Sequence, residues 1–213
     1  MRLRTSGLLL LACLTGPAQA ARQSFTVPTP MAAAGGEPAR LAYYARHWSD
    51  WISAVQGVVA YFKAQPQNGG KVGLLGISLG AQIAAASSTG RSDIDGLVLV
   101  DGGFPDGFAK PVRSLPPLLL IWGGADRIFP LPIGQALQQR AQRLGASATL
   151  DVYAGGAHGF FLKAASPDAA AHRSAAEFLR ARLSAHPPFR RYIRQQKCPI
   201  MAPAEVRSQG RRG

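Results

Sequence analysis

The chain has few cysteines, few acidic residues and no apolar run long enough for a membrane span. Its 213 residues include two cysteines, and 11 Asp and Glu stand against 24 Lys and Arg. The apolar stretch 8–14 is far shorter than the roughly 20 residues that a bilayer-spanning helix needs. With 47% hydrophobic and 16% charged residues, the composition excludes a disordered chain and a membrane bundle. It predicts one globular domain with a sizeable core.

The net charge of +13 is concentrated at the two ends of the chain. Residues 1–22 carry +3 and residues 186–213 carry +6, whereas residues 23–185 hold 14 basic and 10 acidic side chains. No basic stripe interleaved with aromatic residues occurs in the middle, so a nucleic-acid binder is the least favoured class. We interpret residues 186–213 as a basic, flexible tail. Attraction of that tail to an anionic surface stays open as an alternative.

Residues 1–20 have the pattern of a secretory signal peptide. Arg2 and Arg4 form a charged start, residues 8–14 an apolar core, and Ala18-Gln19-Ala20 a small-x-small cleavage site. The pattern predicts a secreted or periplasmic protein whose globular domain covers residues 21–185.

A second interpretation of this segment is a lipoprotein signal. Leu10-Leu11-Ala12-Cys13 resembles a lipoprotein box, in which Cys13 would carry the lipid anchor. Cleavage after Ala20 would instead remove Cys13 and leave Cys198 as the one remaining cysteine. In that case no intrachain disulfide could form.

Strands alternate with helices from residue 48 to residue 183. This alternation predicts an α/β fold with a mainly parallel sheet and flanking helices. A weaker signal before residue 48 predicts two short strands at 24–27 and 41–44, paired as a hairpin. The predicted strands are the apolar run before Gly76, then 96–100, 118–122 and 148–153, and the clearest predicted helices are 48–64, 131–144 and 167–183.

A nucleophile elbow is the motif around which the chain is organised. The apolar run ends in Gly76-Ile77-Ser78-Leu79-Gly80 and continues at once into a helix-forming, small-residue segment. In this strand–turn–helix context Gly-x-Ser-x-Gly places a serine at the apex of a sharp turn. The glycines let strand and helix approach closely. The helix that follows points its amides at an oxyanion formed beside Ser78.

A serine nucleophile needs a base, and His158 is the best placed of the four histidines. It follows the strand 148–153, which puts it on the carboxyl edge of the sheet together with Ser78. His47, His172 and His186 are more simply explained by packing or by surface positions.

A carboxylate should orient that histidine, and two candidates end strands at the same edge. Asp126 follows the strand 118–122, which adjoins the histidine strand, and it gives the order Ser, Asp, His of α/β-hydrolases. Asp101, which ends the strand 96–100, is the competitor. We favour Asp126.

Three stretches resemble the dienelactone hydrolase-like family of the α/β-hydrolase superfamily. They are 72–80 around Ser78, 120–126 with Pro130, and 152–161 around His158, within a resemblance that covers about residues 48–183. The resemblance implies Ser78 as nucleophile, His158 as base and Asp126 as its orienting carboxylate. Dienelactone hydrolases proper carry cysteine as nucleophile, so the serine here suggests other esters as substrates.

The chain departs from this family before residue 48. The backbone amide of Leu79 is the expected first oxyanion donor, and the family takes the second from a loop well before the nucleophile strand. Only 27 residues lie between Ala20 and Trp48, too few for strand, helix and strand, and no His-Gly occurs among them. Gly35-Gly36 is the weak substitute. The fold is therefore expected to be shortened at its N-terminal side, and an exposed sheet edge could pair two copies as a homodimer.

These observations favour a serine hydrolase that cleaves a carboxylic ester or lactone of a small molecule. The alternatives are an inactive hydrolase fold retained as a binding module and a peptidase using the same residues. No metal or organic cofactor is expected, since no ligand cluster or phosphate-binding glycine loop is present in the sequence. The substrate pocket is expected between the segment 101–117 and residues near Trp122 and Phe160.

Overall fold

A computed structural model of the chain describes residues 7–13, 21–27, 36–66, 69–163 and 168–184. Six strands form one sheet in the order β2-β1-β3-β4-β5-β6. The elements in chain order are β1 (Gly7–Cys13), β2 (Ala21–Val27), α1 (Gly36–Lys63), β3 (Gly73–Ile77), α2 (Leu79–Ser88), β4 (Gly96–Val100), β5 (Leu118–Gly123), α3 (Leu131–Arg143), β6 (Ala148–Tyr153) and α4 (Asp168–Leu183).

Strands β3, β4, β5 and β6 are parallel to one another and form the body of the sheet. Every residue of β3, β4 and β5 is buried, whereas β6 alternates between half-buried and exposed positions. Short runs of branched apolar residues are typical of parallel strands covered on both faces. The predicted α/β class with a mainly parallel sheet and flanking helices is confirmed.

Helices cover both faces of this parallel sheet. Because successive side chains of a strand point to opposite faces, each strand contributes to two separate cores. The core beneath α1, α2 and α3 includes Val59, Phe62, Leu74, Ile83, Leu97, Leu99, Leu118, Leu120, Trp122 and Leu137. The core beneath α4 includes Leu75, Ile77, Val98, Val100, Leu119, Ile121, Ala175 and Leu179.

Helix α1 begins twelve residues earlier than the sequence predicted, and the predicted strand at 41–44 is wrong. Tyr44, Trp48 and Trp51 lie on one side of the helix and pack edge to face, with ring centroids 6.1 Å apart for the first pair and 5.5 Å for the second. These aromatic contacts at helical spacing continue the apolar face of the later turns, and the alanines and arginines between them favour a helix. Together they outweigh the strand propensity of the two tyrosines.

The predicted strand at 24–27 lies within β2, but its partner is β1. β1 is antiparallel to β2 and also to β3, where Leu9 is opposite Gly76 and Leu10 is opposite Leu75. In the whole chain the apolar core of the predicted signal peptide is therefore a strand of the sheet. The signal peptide stays a prediction, because the structure is that of the uncleaved chain. The predicted tail at 186–213 lies outside the described residues.

A carboxylate with two lysines connects the elements at the amino edge of the parallel strands. Asp95, before β4, accepts hydrogen bonds from Lys63 Nζ at 2.9 Å, Lys71 Nζ at 2.7 Å and the Val72 amide at 2.9 Å. Burial raises the pKa of Asp95, but the three hydrogen bonds outweigh it and hold that pKa below its ordinary value of 3.8. This cluster lies at the end of the sheet opposite to Ser78. Among the described helices, none combines the length and the apolar character that crossing a membrane requires.

Candidate active site

Ser78 occupies a strained turn between β3 and α2. Its φ of 55° and ψ of −120° lie in a region that residues with a side chain rarely adopt. The turn is fixed by a hydrogen bond of 2.9 Å from the Ser78 amide to the Val100 carbonyl. A Cβ at Gly76 would lie 2.3 Å from the Gly80 carbonyl oxygen, so only glycine fits where strand and helix cross. The local geometry is that of the predicted elbow.

The three predicted side chains meet at the carboxyl edge of the sheet. Ser78 Oγ lies 2.9 Å from His158 Nε2, and His158 Nδ1 lies 2.8 Å from Asp126 Oδ2. With its proton on Nδ1, the imidazole donates to Asp126 and accepts the serine hydroxyl proton at Nε2. The arrangement can thus move a proton away from Ser78.

Asp126 is held by the backbone that follows it. Its Oδ1 accepts hydrogen bonds from the amides of Ile128 at 2.7 Å and Phe129 at 2.9 Å, which leaves Oδ2 for the imidazole. The carboxylate side chain is fully buried, whereas 26% of the His158 side chain is exposed. The Phe129 ring lies 5.6 Å from the His158 ring, and Trp122 Nε1 donates to the Phe129 carbonyl at 2.8 Å. The base is therefore reachable by a substrate while its partner carboxylate is shielded from water.

The loops after β5 and β6 pack backbone against backbone. The amide of Ala125 donates to the Gly156 carbonyl at 2.9 Å, and that of Gly124 donates to Tyr153 at 2.8 Å. A Cβ at Gly123 would lie 2.4 Å from the Gly156 carbonyl oxygen. The glycines of both loops let Asp126 and His158 approach each other from neighbouring strands.

Asp101, the competing carboxylate, does not pair with the imidazole in this structure. It is fully buried, and its two oxygens accept the amides of Gly123 at 2.8 Å and Gly159 at 3.2 Å. Burial raises the pKa of Asp101 to about 6, with a smaller upward contribution from the charge of Asp126. Sequence reasoning weighed Asp101 only as a rival of Asp126. The sequence did contain a signal that Asp101 has a role of its own. It follows a buried strand and precedes two glycines.

Asp101, Asp126 and His158 also form a compact donor set, with one donor atom from each lying within 4.8 Å of the others. Both carboxylates already accept backbone amides, and Asp126 additionally accepts the imidazole proton. Because these carboxylate oxygens already accept hydrogen bonds, the three residues fit a hydrogen-bonded chain better than a ligand shell for a cation.

Leu79 is the first residue of α2. By helix geometry its amide has no acceptor four residues earlier in the same helix, so it is available for the predicted role of oxyanion donor. The second donor was expected between Ala20 and Trp48, and residues 28–35 of that stretch lie outside the described residues. Of the weak substitute Gly35-Gly36, only Gly36 is described, as the first residue of α1.

Trp122 and Phe160, near which the substrate pocket was expected, themselves belong to the core. Trp122 is fully buried beneath Gly134, where a Cβ would meet its ring at 2.7 Å, and Phe160 is 3% exposed. Phe104 and Phe108, in the segment 101–117, are half-buried and stack 5.2 Å apart. That segment therefore offers apolar rings, whereas Trp122 and Phe160 do not reach a solvent-facing wall.

Comparison with known proteins identifies a family for this chain. The model of the dienelactone hydrolase family matches residues 40–184. No curated protein matches the sequence.

Solved structures of α/β-hydrolases are similar to the described part of the chain. MGS-M1, an alpha/beta hydrolase enzyme from a Medee basin deep-sea metagenome library, has 15% identity and a TM-score of 0.54 over 62% of this chain and 64% of that one. The acylaminoacyl peptidase of Pyrococcus horikoshii has 16% identity and a TM-score of 0.52 over 63% of this chain and 28% of that one. Esterase 2 of Thermogutta terrifontis has 18% identity and a TM-score of 0.49, and the chain spans 62% of its length. At these identities the likeness to the first two structures shows the fold alone.

Proposed function

The chain belongs to the dienelactone hydrolase family, and from this premise we propose that it is a serine hydrolase cleaving a carboxylic ester or lactone through an acyl-enzyme on Ser78. One observation carries the proposal. Hydrogen bonds of 2.9 and 2.8 Å connect the strained serine of the elbow to a partly exposed imidazole and then to a buried carboxylate. A nucleophile, its base and an orienting carboxylate within hydrogen-bond reach of one another are the geometry that serine hydrolases use.

In the first step Ser78 Oγ attacks the ester carbonyl while His158 Nε2 takes the hydroxyl proton. Asp126 keeps the imidazole in the tautomer that can accept this proton and stabilises the imidazolium that results. The negative charge on the carbonyl oxygen is met by the Leu79 amide at the start of α2, where the helix dipole favours an anion.

In the second step the tetrahedral intermediate collapses and His158 returns the proton to the leaving alkoxide oxygen. A water molecule then attacks the acyl-enzyme with His158 again as the base, and the acid product leaves Ser78 free. The half-buried rings of Phe104 and Phe108 would favour an apolar acyl or alcohol group near this edge.

An inactive hydrolase fold that serves as a binding module remains the second candidate. The observation favouring it is that only 27 residues lie between Ala20 and Trp48, too few for the strand, helix and strand with which the family supplies its second oxyanion donor. Absence of one such donor typically costs about 10²–10³ in turnover. A peptidase is a third and weaker candidate, which a panel of amide substrates would separate from an esterase.

Labelling with a fluorophosphonate tests the proposal, because this probe reacts with an activated serine. We expect the full chain to be labelled and His158→Ala to lose labelling, since Ser78 then lacks its base. His47→Ala is the matched control, because His47 lies on α1 beside Tyr43 and should leave the labelling unchanged. A folded parent chain that is not labelled would favour the binding module.

Export is a further part of this proposal, supported by the pattern of residues 1–20. Removal of those residues would take β1 away from β3, so that the freed edge could pair with a second copy. Intact mass of the exported protein should show a start at Ala21, and light scattering should show a dimer. A monomer beginning at Met1 would contradict both statements.

A further inference from the structure

Asp101 is a buried carboxylate that the proposed reaction does not use. It ends β4, beside the strand that carries Ser78, and its φ of 46° lies in the left-handed region. A strained residue persists only where its surroundings hold it, and such residues cluster at functional sites.

The contacts of Asp101 reach all three parts of the candidate site. Oδ1 accepts the amide of Gly123, three residues before Asp126, and Oδ2 accepts the amide of Gly159, the residue after His158. The next residue, Gly102, lies against the elbow, where a Cβ would be 2.6 Å from the Ser78 carbonyl oxygen. One carboxylate thus bridges the end of β5, which leads into the loop of Asp126, and the loop of His158.

We propose that Asp101 is a positioning residue, whose carboxylate connects the loop of Asp126 to the loop of His158 and thereby fixes the distance between their side chains. The inference rests on the proposed function. Asp101 touches neither the serine nor the reacting atoms, so it acts through the two loops. An error of about 1 Å in such a site can cost about a hundred-fold in rate.

Ionisation of Asp101 costs stability in the folded chain. Burial, together with the charge of Asp126 and against that of His158, raises the pKa of Asp101 from 3.8 to about 6. The native chain therefore binds this proton more tightly than the unfolded chain does, and the free energy of unfolding falls as the pH rises from about 4 to about 6. Above that range the ionised carboxylate is less favourable to stability than the protonated one.

The test compares Asp101→Asn with the parent by the rate of fluorophosphonate labelling and by steady-state kinetics on an activated ester. An asparagine has one acceptor oxygen, so it can hold one loop amide, and its NH₂ group faces the other. We expect kcat and the labelling rate to fall about ten- to hundred-fold with little change in KM. The melting temperature should change little, because removing the buried charge offsets the lost hydrogen bond.

The pH profile is a readout that a purely structural residue would not move. Below pH about 6 a proton on Asp101 replaces one acceptor by a donor, so that one of the two amides loses its acceptor. The labelling rate of the parent should therefore show an acid-side fall that Asp101→Asn lacks. Asp95→Asn is the matched control, expected to unfold at lower temperature with an unchanged kcat and profile, because Asp95 lies at the opposite edge.

Labelling of Asp101→Asn at the parent rate, or an acid limb that is the same in both proteins, would overturn the inference. If Asp101→Asn fails to fold, Asp101→Glu, whose carboxylate is displaced by one methylene, takes its place in both criteria. An unlabelled parent would reject the proposed function, and the inference is then decided by NMR. The low-field proton of the His158–Asp126 hydrogen bond, assigned by its absence in His158→Ala, should be sharp in the parent and broadened in Asp101→Asn. Equal signals in both would overturn it.

Discussion

Replacing Ser78 with alanine is expected to lower the turnover of an activated ester by about 10⁶-fold, to the level of the uncatalysed reaction aided only by binding. The alanine removes the atom that forms the acyl-enzyme while leaving the elbow backbone in place. The imidazole then has no hydroxyl to deprotonate. KM should change little, because the hydroxyl contributes little to binding the ground state.

Initial rates with a chromogenic ester, measured for both proteins after matched unfolding curves, check this expectation. Ser87→Ala is the matched control in the same helix. Ser87 Oγ is buried and has no hydrogen-bond partner among the described residues, so its removal should leave the rate and the fold intact. If Ser78→Ala kept more than about a hundredth of the parent rate, the nucleophile would not be Ser78.

Replacing Asp126 with asparagine is expected to lower kcat by about 10⁴-fold with the fold preserved. The asparagine oxygen can still accept the amides of Ile128 and Phe129, which turns its NH₂ group toward His158 Nδ1. Facing a donor, Nδ1 must lose its proton to Nε2. That nitrogen would then donate to Ser78 and could not accept from it.

Steady-state kinetics of both proteins at one fixed pH measure this effect. The same Asp95→Asn variant controls for the loss of a structural carboxylate, since it should change the melting temperature without changing kcat. A loss in Asp126→Asn smaller than about ten-fold would mean that another carboxylate supports the imidazole. Asp101 would then be the first to examine, because it lies in the same donor set.

The two carboxylates at this edge of the sheet have different hydrogen-bond partners, and their proposed roles differ for that reason. Asp126 satisfies one oxygen with amides of its own turn and turns the other to the imidazole. Both oxygens of Asp101 accept backbone amides, one from the end of β5 and one from the loop after β6. Two aspartates that follow neighbouring strands thus acquire different hydrogen-bond partners from the backbone around them.

Much of the fold could be predicted from local patterns. The apolar runs that became β3 to β6 are separated by glycines and prolines and alternate with helical periodicity, which restricts the sheet to a parallel one. The elbow could be predicted because its turn is formed by consecutive residues and requires the glycines Gly76 and Gly80. The error at 41–44 arose where strand propensity and helical spacing disagreed, and the aromatic contacts along α1 decided for the helix.

Local sequence patterns were enough to predict the family resemblance, the order of the elements from β3 onward and the edge where Ser78, Asp126 and His158 gather, because strand direction brings the carboxyl ends of parallel strands together. The folded structure decided between the two candidate carboxylates: Asp126 faces Nδ1 of His158, and Asp101 bridges the end of β5 and the loop after β6. It also decided that Trp122 and Phe160 fill the core. These outcomes depend on distances between residues far apart in the chain, set by how the glycine-bearing loops pack, and no local pattern records them.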